Sequence, residues 1–292
     1  MRNDEFLKYH PSVNFIYFLT VITFSMIMRN PVCQAVSVTA SILYGTYLKG
    51  MTHLKFNFTY MLFAGILTAI INPLFNHGGV TILAYMPSGN PLTLESILFG
   101  ISSALMLVST VNWFLCMNVV FTSDKFMYLF GRIIPSLSLI LSMTLRFVPR
   151  FSEQFKKTLY AQKCMGKGIN DGNICVRVKN AVNIVSILIT WSLEMGAQTA
   201  DSMKSRGFGL KGRTAFSLYR MEIRDVLSII LMIFCVIFVA VIMLIGHLDF
   251  SYFPLVSYRL DVFGVLAVII FAVFCIIPLI INLWEDIKWK RL

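Results

Sequence analysis

The sequence predicts an all-α membrane protein of about six transmembrane helices, with a cytoplasmic helical module between the fourth and the fifth. Three observations carry this expectation. Of the 292 residues 57% are hydrophobic and 13% charged, at a mean hydropathy of +0.76, whereas a soluble domain carries roughly a quarter charged residues. The apolar residues gather into runs close to the about 20 residues that cross a hydrocarbon core. The 25 Lys and Arg residues are spread unevenly between those runs, and in a membrane protein their placement reports orientation. A net charge of +11 and a pI near 9.5 would suit a nucleic-acid binder, but so apolar a chain does not; no nucleic-acid partner is expected, and the bilayer is.

Four runs stand out as spans: residues 32–48, 92–121, 226–246 and 262–281. Two shorter uncharged runs, 13–28 and 57–72, are bounded by the helix stops Asn30-Pro31 and Asn72-Pro73. The first is read as a mature helix rather than a signal peptide, because acidic Asp4 and Glu5 precede it and no small-residue cleavage pattern follows.

No Lys or Arg falls between Lys55 and Lys125, so the Pro/Gly-rich loop 73–91 is assigned to the extracytoplasmic side. Six spans then leave both termini cytoplasmic, with 23 Lys and Arg inside and two, Arg29 and Arg259, outside. The chain divides into an N-terminal four-helix transmembrane part (1–121), a cytoplasmic module (122–225) and a C-terminal two-helix transmembrane part (226–292).

The module holds 16 basic and seven acidic residues, hence +9 of the total charge of +11. Its two apolar runs, 133–145 and 181–193, are 13 residues each, short for spans. If both crossed the membrane, Arg150, Lys156, Lys157, Lys163, Lys167, Arg177 and Lys179 would be exported against the positive-inside rule. Both runs continue as amphipathic helices. Arg146, Arg150, Glu153 and Lys157 form one polar stripe, and Glu194, Gln198, Asp201 and Ser205 form another. The two helices are expected to pack together, with Arg146 or Arg150 facing Glu194 or Asp201; for any one of these charges a plain solvated face is the alternative.

Each helix stops at a basic, glycine-marked turn: Lys163-Cys164-Met165-Gly166-Lys167-Gly168, and Lys204-Ser205-Arg206-Gly207-Phe208-Gly209. Glycine after a helix is an ordinary stop signal, and cations there suit the helix dipole. Two such ends in one basic module point to paired docking tips for acidic grooves on another protein.

Catalytic signatures are missing. The chain has no Walker A, HExxH or GxSxG pattern. Its single GxGxxG, residues 207–212, follows a helix and not a strand, so a dinucleotide site is not expected. The six cysteines are scattered and are read as core thiols, and the four histidines lie too far apart in sequence to read as a metal site. Asn112 and Asn118 are the main polar groups at depth in the spans and read as interhelical hydrogen-bond partners.

Taken with these features, the sequences Leu145-Arg146-Phe147-Val148-Pro149, Ala161-Gln162-Lys163-Cys164-Met165-Gly166, Leu193-Glu194-Met195 and residues 201–209 resemble the transmembrane T component of energy-coupling factor (ECF) transporters, the EcfT/CbiQ family. The resemblance covers most of the chain. It implies that the module is a coupling-helix module, in which each tip carries an arginine flanked by small residues. Ser205-Arg206-Gly207 matches that motif. The first tip departs from it, with Met165 where the family has arginine and Lys163 and Lys167 close by; either a lysine substitutes, lacking the planar fork of arginine, or this tip docks by apolar contact.

The resemblance further implies a non-catalytic scaffold in the cell membrane of a bacterium. Its partners would be two ATP-binding cassette (ABC) subunits, which bind the ATP, and a separate S component that binds a vitamin or metal ion. The chain itself would need no cofactor. The alternative is the permease of a conventional ABC importer, which would require a polar path through the spans.

Overall fold

Helix starts in the computed structural model follow the local chemistry of the chain. The structure describes residues 4–85, 91–131, 135–170, 172–210, 219–258 and 261–291; Arg2, Asp171, Arg259 and positions 86–90 of the expected outer loop lie outside them. Pro11 and Pro31 open α1 (Pro11–Ile27) and α2 (Pro31–Lys49), where proline's fixed φ is already helical and its missing N–H is not needed. The Asn30 side chain caps α2 by accepting from Val32 N–H at 3.0 Å. Gly50, at φ +64°, ends α2 and allows α3 (Met51–Phe56) to begin at once.

From α3 the chain continues through a π-helical turn (Asn57–Met61) into α4 (Leu62–Phe75), one continuous rod of 25 residues. Next come β1 (Ile82–Tyr85), β2 (Pro91–Thr93), α5 (Leu94–Val120) and α6 (Ser123–Gly131). The hairpin helices α7 (Pro135–Cys164) and α8 (Ile174–Ser205) follow, and then α9 (Ile223–Ile245), β3 (Phe250–Ser251), β4 (Ser257–Tyr258) and α10 (Val262–Arg291). The strands form two short antiparallel ribbons, β1 with β2 and β3 with β4; β1 falls in the expected outer loop 73–91, and β2 takes up the first residues of the expected span 92–121. Among the described residues everything else that is regular is helical.

The chain forms two compact units, Met1–Phe126 with Tyr219–Leu292, and Met127–Leu218. Among the described residues five helices are long and apolar enough to cross a membrane: Met51–Phe75, Leu94–Val120, Ile174–Ser205, Ile223–Ile245 and Val262–Lys288. Four of them coincide with expected spans. Of the other two expected spans, α1 is apolar but only 17 residues long. α2 forms at 19 residues yet is less apolar, because it carries Gln34, Ser37 and Ser41.

Packing explains the composition of α2. Its Gln34 and Ser37 side chains are buried and bonded outside the helix, while Ser41 Oγ donates to the Val38 carbonyl of α2 itself at 2.8 Å. Ser37 Oγ pairs with Ser25 Oγ at 2.7 Å and accepts from Trp113 Nε1 at 2.9 Å. Gln34 donates to the Met28 carbonyl at 3.1 Å and accepts from Ser102 Oγ at 2.6 Å. Such bonds join apolar helices where burial alone does not. Around them Tyr17, Phe18, Trp113 and Phe274 form an aromatic core.

The N-terminal segment crosses one end of this unit and is buried there. Phe6 is completely buried against Tyr17 and Phe18. Asp4 accepts from Phe6 N–H at 3.0 Å and from Tyr44 Oη of α2 at 3.0 Å. Asn282 Oδ1 of α10 accepts from Glu5 N–H at 2.9 Å, and Asp225 Oδ1 of α9 accepts from His10 N–H at 3.4 Å. Lys125 of α6 donates to the Leu7 carbonyl at 2.6 Å. The Asn14 amide, oriented by its partners, donates to the Phe6 carbonyl at 3.1 Å and accepts from Lys125 Nζ at 2.6 Å. Seven residues thereby tie together helices from both ends of the chain.

Lys125 gives this end a pH signature. Burial holds its ammonium down to about 8 from the ordinary 10.5, against the opposing charge of Asp4. The folded value lies below the unfolded one, so between about pH 8 and 10.5 the unfolded chain binds more protons and stability rises with pH. Lys125→Met is expected to lose that rise. Melting temperatures in detergent, compared between the wild type and the variant across this window, check it.

Candidate functional site

The unit Met127–Leu218 has 13 Lys and Arg residues and four Asp and Glu in its sequence. Its described core is the pair α7 and α8. Pro149 sits inside α7, where it removes one helical hydrogen bond. Aromatic rings join the helices: Phe147 stacks on Trp191 at 5.6 Å between centroids, and Phe151 lies against Trp191 at 6.5 Å. Phe147 and Phe151 adjoin Arg146 and Arg150 of the polar stripe that the sequence marks. Trp191 has no such marker, since a lone tryptophan in an apolar run carries no periodic signal.

The expected ion pairs across this junction are not what joins the helices. Arg146, Arg150, Glu194 and Asp201 are all exposed, and among the described residues the ion pairs are Lys8–Glu5, Arg224–Glu222 and His247–Asp261. The Glu194 carboxylate accepts instead from Gln198 one turn on, at 3.3 Å. Rings that stack across the seam gain by leaving water, whereas a half-exposed ion pair gains little.

Each helix ends in the same way. At the end of α7, Lys167 N–H donates to the Gln162 carbonyl at 2.9 Å and Gly166 N–H to the Lys163 carbonyl at 3.0 Å. At the end of α8, Phe208 N–H donates to the Met203 carbonyl at 3.0 Å and Gly207 N–H to the Lys204 carbonyl at 2.9 Å. These are two Schellman motifs, bond for bond. Gly166 and Gly207 hold the left-handed position at φ +69° and +74°, which a side chain would strain. The match aligns Lys163 with Lys204, Cys164 with Ser205, Met165 with Arg206, Gly166 with Gly207 and Lys167 with Phe208.

All the cations of both tips reach solvent. Lys163, Met165, Gly166 and Lys167 are exposed, as are Ser205 and Arg206, with Gly207 partly so. Ser205 Oγ donates to the Ser202 carbonyl at 2.9 Å, closing the last turn. Lys211 and Gly212, the rest of the GxGxxG sequence, lie outside the described residues. Cys164 and Cys175 are exposed in this unit, a correction to the reading of all six cysteines as core thiols: they sit at a helix end and in the first turn of α8, where no core forms. Cys33, Cys116 and Cys275 are buried.

The tips stand far apart. The first is tied to the start of α8, because Asn180 Nδ2 donates to the Gly168 carbonyl and Arg177 Nε to the Ile169 carbonyl, both at 3.0 Å. Arg206 lies 26 residues beyond Asn180, about 39 Å at the rise of an α-helix.

Long apolar helices locked by interhelical polar contacts define a multi-pass α-helical membrane protein. The chain belongs to the CbiQ family: the sequence model of that family, described as cobalt transport protein, matches residues 7–218. It is similar to the energy-coupling factor transporter transmembrane protein EcfT of Bacillus selenitireducens, at 25% identity over 250 residues that cover 80% of this chain and 90% of the relative. The EcfT proteins of Staphylococcus aureus and Streptococcus thermophilus are 31% identical over 98 residues and 35% identical over 95 residues. Those two matches cover 33% and 32% of this chain and 37% and 36% of the relatives, so there the chain spans under two-fifths of each relative's length.

Proposed function

We propose that this chain is the T component of an ECF-type importer, a non-catalytic scaffold that couples ATP hydrolysis on two ABC subunits to reorientation of a membrane-embedded S component carrying a vitamin or metal ion. The observation that carries this reading is the pair of matched, exposed basic tips about 39 Å apart on one hairpin. That spacing is too wide for one small groove and suits two subunits, each receiving one tip. Cations at the tips fit acidic grooves, and the names of the relatives favour the same assembly. ATP belongs to the partner subunits, and the chain needs no cofactor of its own.

In this reading α7 and α8 lie on the cytoplasmic side with both termini. Length and composition would let α8 cross the membrane, but crossing by both helices would export seven Lys and Arg between Arg150 and Lys179. The S component packs against the apolar outer surface of the spanning helices. Reconstitution tests the proposal: the chain, its co-expressed ABC subunits and a co-expressed S component are placed in liposomes singly and together, and uptake of vitamins and divalent metal ions is measured. Uptake is expected only with all components and ATP. Transport by this chain unaided would mean a permease instead.

A further inference from the structure

The two tips share a backbone but not an order of side chains. In the Schellman geometry common to both, the residue before the left-handed glycine is Met165 in one and Arg206 in the other, and the residue after it is Lys167 in one and Phe208 in the other. Each tip therefore offers one apolar and one cationic side chain on either side of its glycine, in opposite order. All four are exposed, Met165 at 60% and Phe208 at 50%. Lys163 and Lys204 occupy equivalent places in the last helical turn, where a side chain leans back toward the start of its helix and away from the tip. A lysine present at that place in both tips cannot make up for the arginine that only one of them has.

We propose that the first tip docks with its two functions exchanged: Lys167 is the cation that enters the acidic groove of an ABC subunit, and Met165 is the apolar anchor beside it, as Arg206 and Phe208 are at the second tip. This rests on the docking function proposed above and assigns, within it, the residues of the tip that departs from the arginine motif. An unbranched, polarizable thioether can fit itself to the kind of apolar wall that a rigid phenyl ring packs against. A lysine, a point charge without a fork, docks at a carboxylate with looser geometry than Arg206. The net basic charge of the unit selects an acidic partner for both tips.

The experiment measures binding of the purified, co-expressed ABC subunits to the full-length chain in nanodiscs without nucleotide. Arg206→Glu serves as the control for docking itself. Lys167→Glu is expected to weaken binding about tenfold or more, and by more than Lys163→Glu; Lys167→Arg should keep wild-type binding and shows that the turn still folds. The double variant Met165→Lys with Lys167→Met keeps composition and net charge, yet is expected to lose as much as Lys167→Glu. If Arg206→Glu weakens binding while Lys163→Glu matches or exceeds Lys167→Glu, or while the exchanged double variant binds as wild type, the assignment is overturned and the docking reading stands. If Arg206→Glu has no effect either, the docking reading itself fails.

Discussion

Charge reversal at Arg206 is expected to abolish uptake and to release the ABC subunit from the second tip, while the chain still folds and inserts. Arg206 follows the last turn of α8 with an exposed side chain, and its contribution to the turn is made by the backbone, whose bonds run through Ser202, Met203 and Lys204. Glutamate there leaves those bonds in place. Docking is different, because a buried carboxylate in the groove would then face a like charge. Losing one partner of a buried pair costs on the order of 3 to 5 kcal/mol, roughly two to four orders of magnitude in affinity. Arg206→Lys should fall between, since it keeps the charge and loses the bidentate fork. Pull-down of the ABC subunits, with membrane insertion followed in parallel, checks the series.

Removal of the Trp191 ring should have the second largest effect, and of another kind. Phe147 and Phe151 meet that ring at mid-helix, well away from either tip, so Trp191→Ala touches no residue of the tips. Losing a half-buried ring and its stacking partners costs on the order of 2 kcal/mol, enough to loosen a joint formed by one cluster. Both ABC subunits are then expected to remain bound while uptake falls at least tenfold, because force applied at a tip no longer moves the two helices as one body. Trp191→Phe should recover most of the uptake. Loss of ABC subunits together with uptake would show instead that the ring supports the tips themselves.

The sequence made legible those features whose signal is local. Runs of apolar residues gave α1, α2, α5 and α9 to within about three residues, with Asn30-Pro31 marking the break between α1 and α2, whereas the rod expected over 57–72 begins at Met51 and passes through Pro73, and α10 runs on beyond 281 to Arg291. Glycine after a basic helix end gave both tips, and the Schellman bonds then form from the same five or six residues. Long-range contacts left no such trace. Asp4 reads as an ordinary acidic residue at a terminus, yet it bonds Tyr44 forty positions on, and Glu5 N–H reaches Asn282 across 277 positions. Lys125 opens the basic stretch in the sequence, where it looks like one more orientation signal, but it is 2% exposed and bonded beneath the N-terminal segment. The charges expected to join α7 and α8 face outward because rings supply the contact; a helical stripe shows which residues share a face without showing what lies opposite.

The two-site claim is tested most directly by counting subunits. Native mass spectrometry of the nucleotide-free complex should find two ABC subunits per chain for the wild type, one when either Arg206 or Lys167 is changed to glutamate, and none when both are. Two subunits retained by the doubly reversed chain, or both lost from a chain reversed at one tip, would contradict docking of two separate subunits on the two ends of this hairpin.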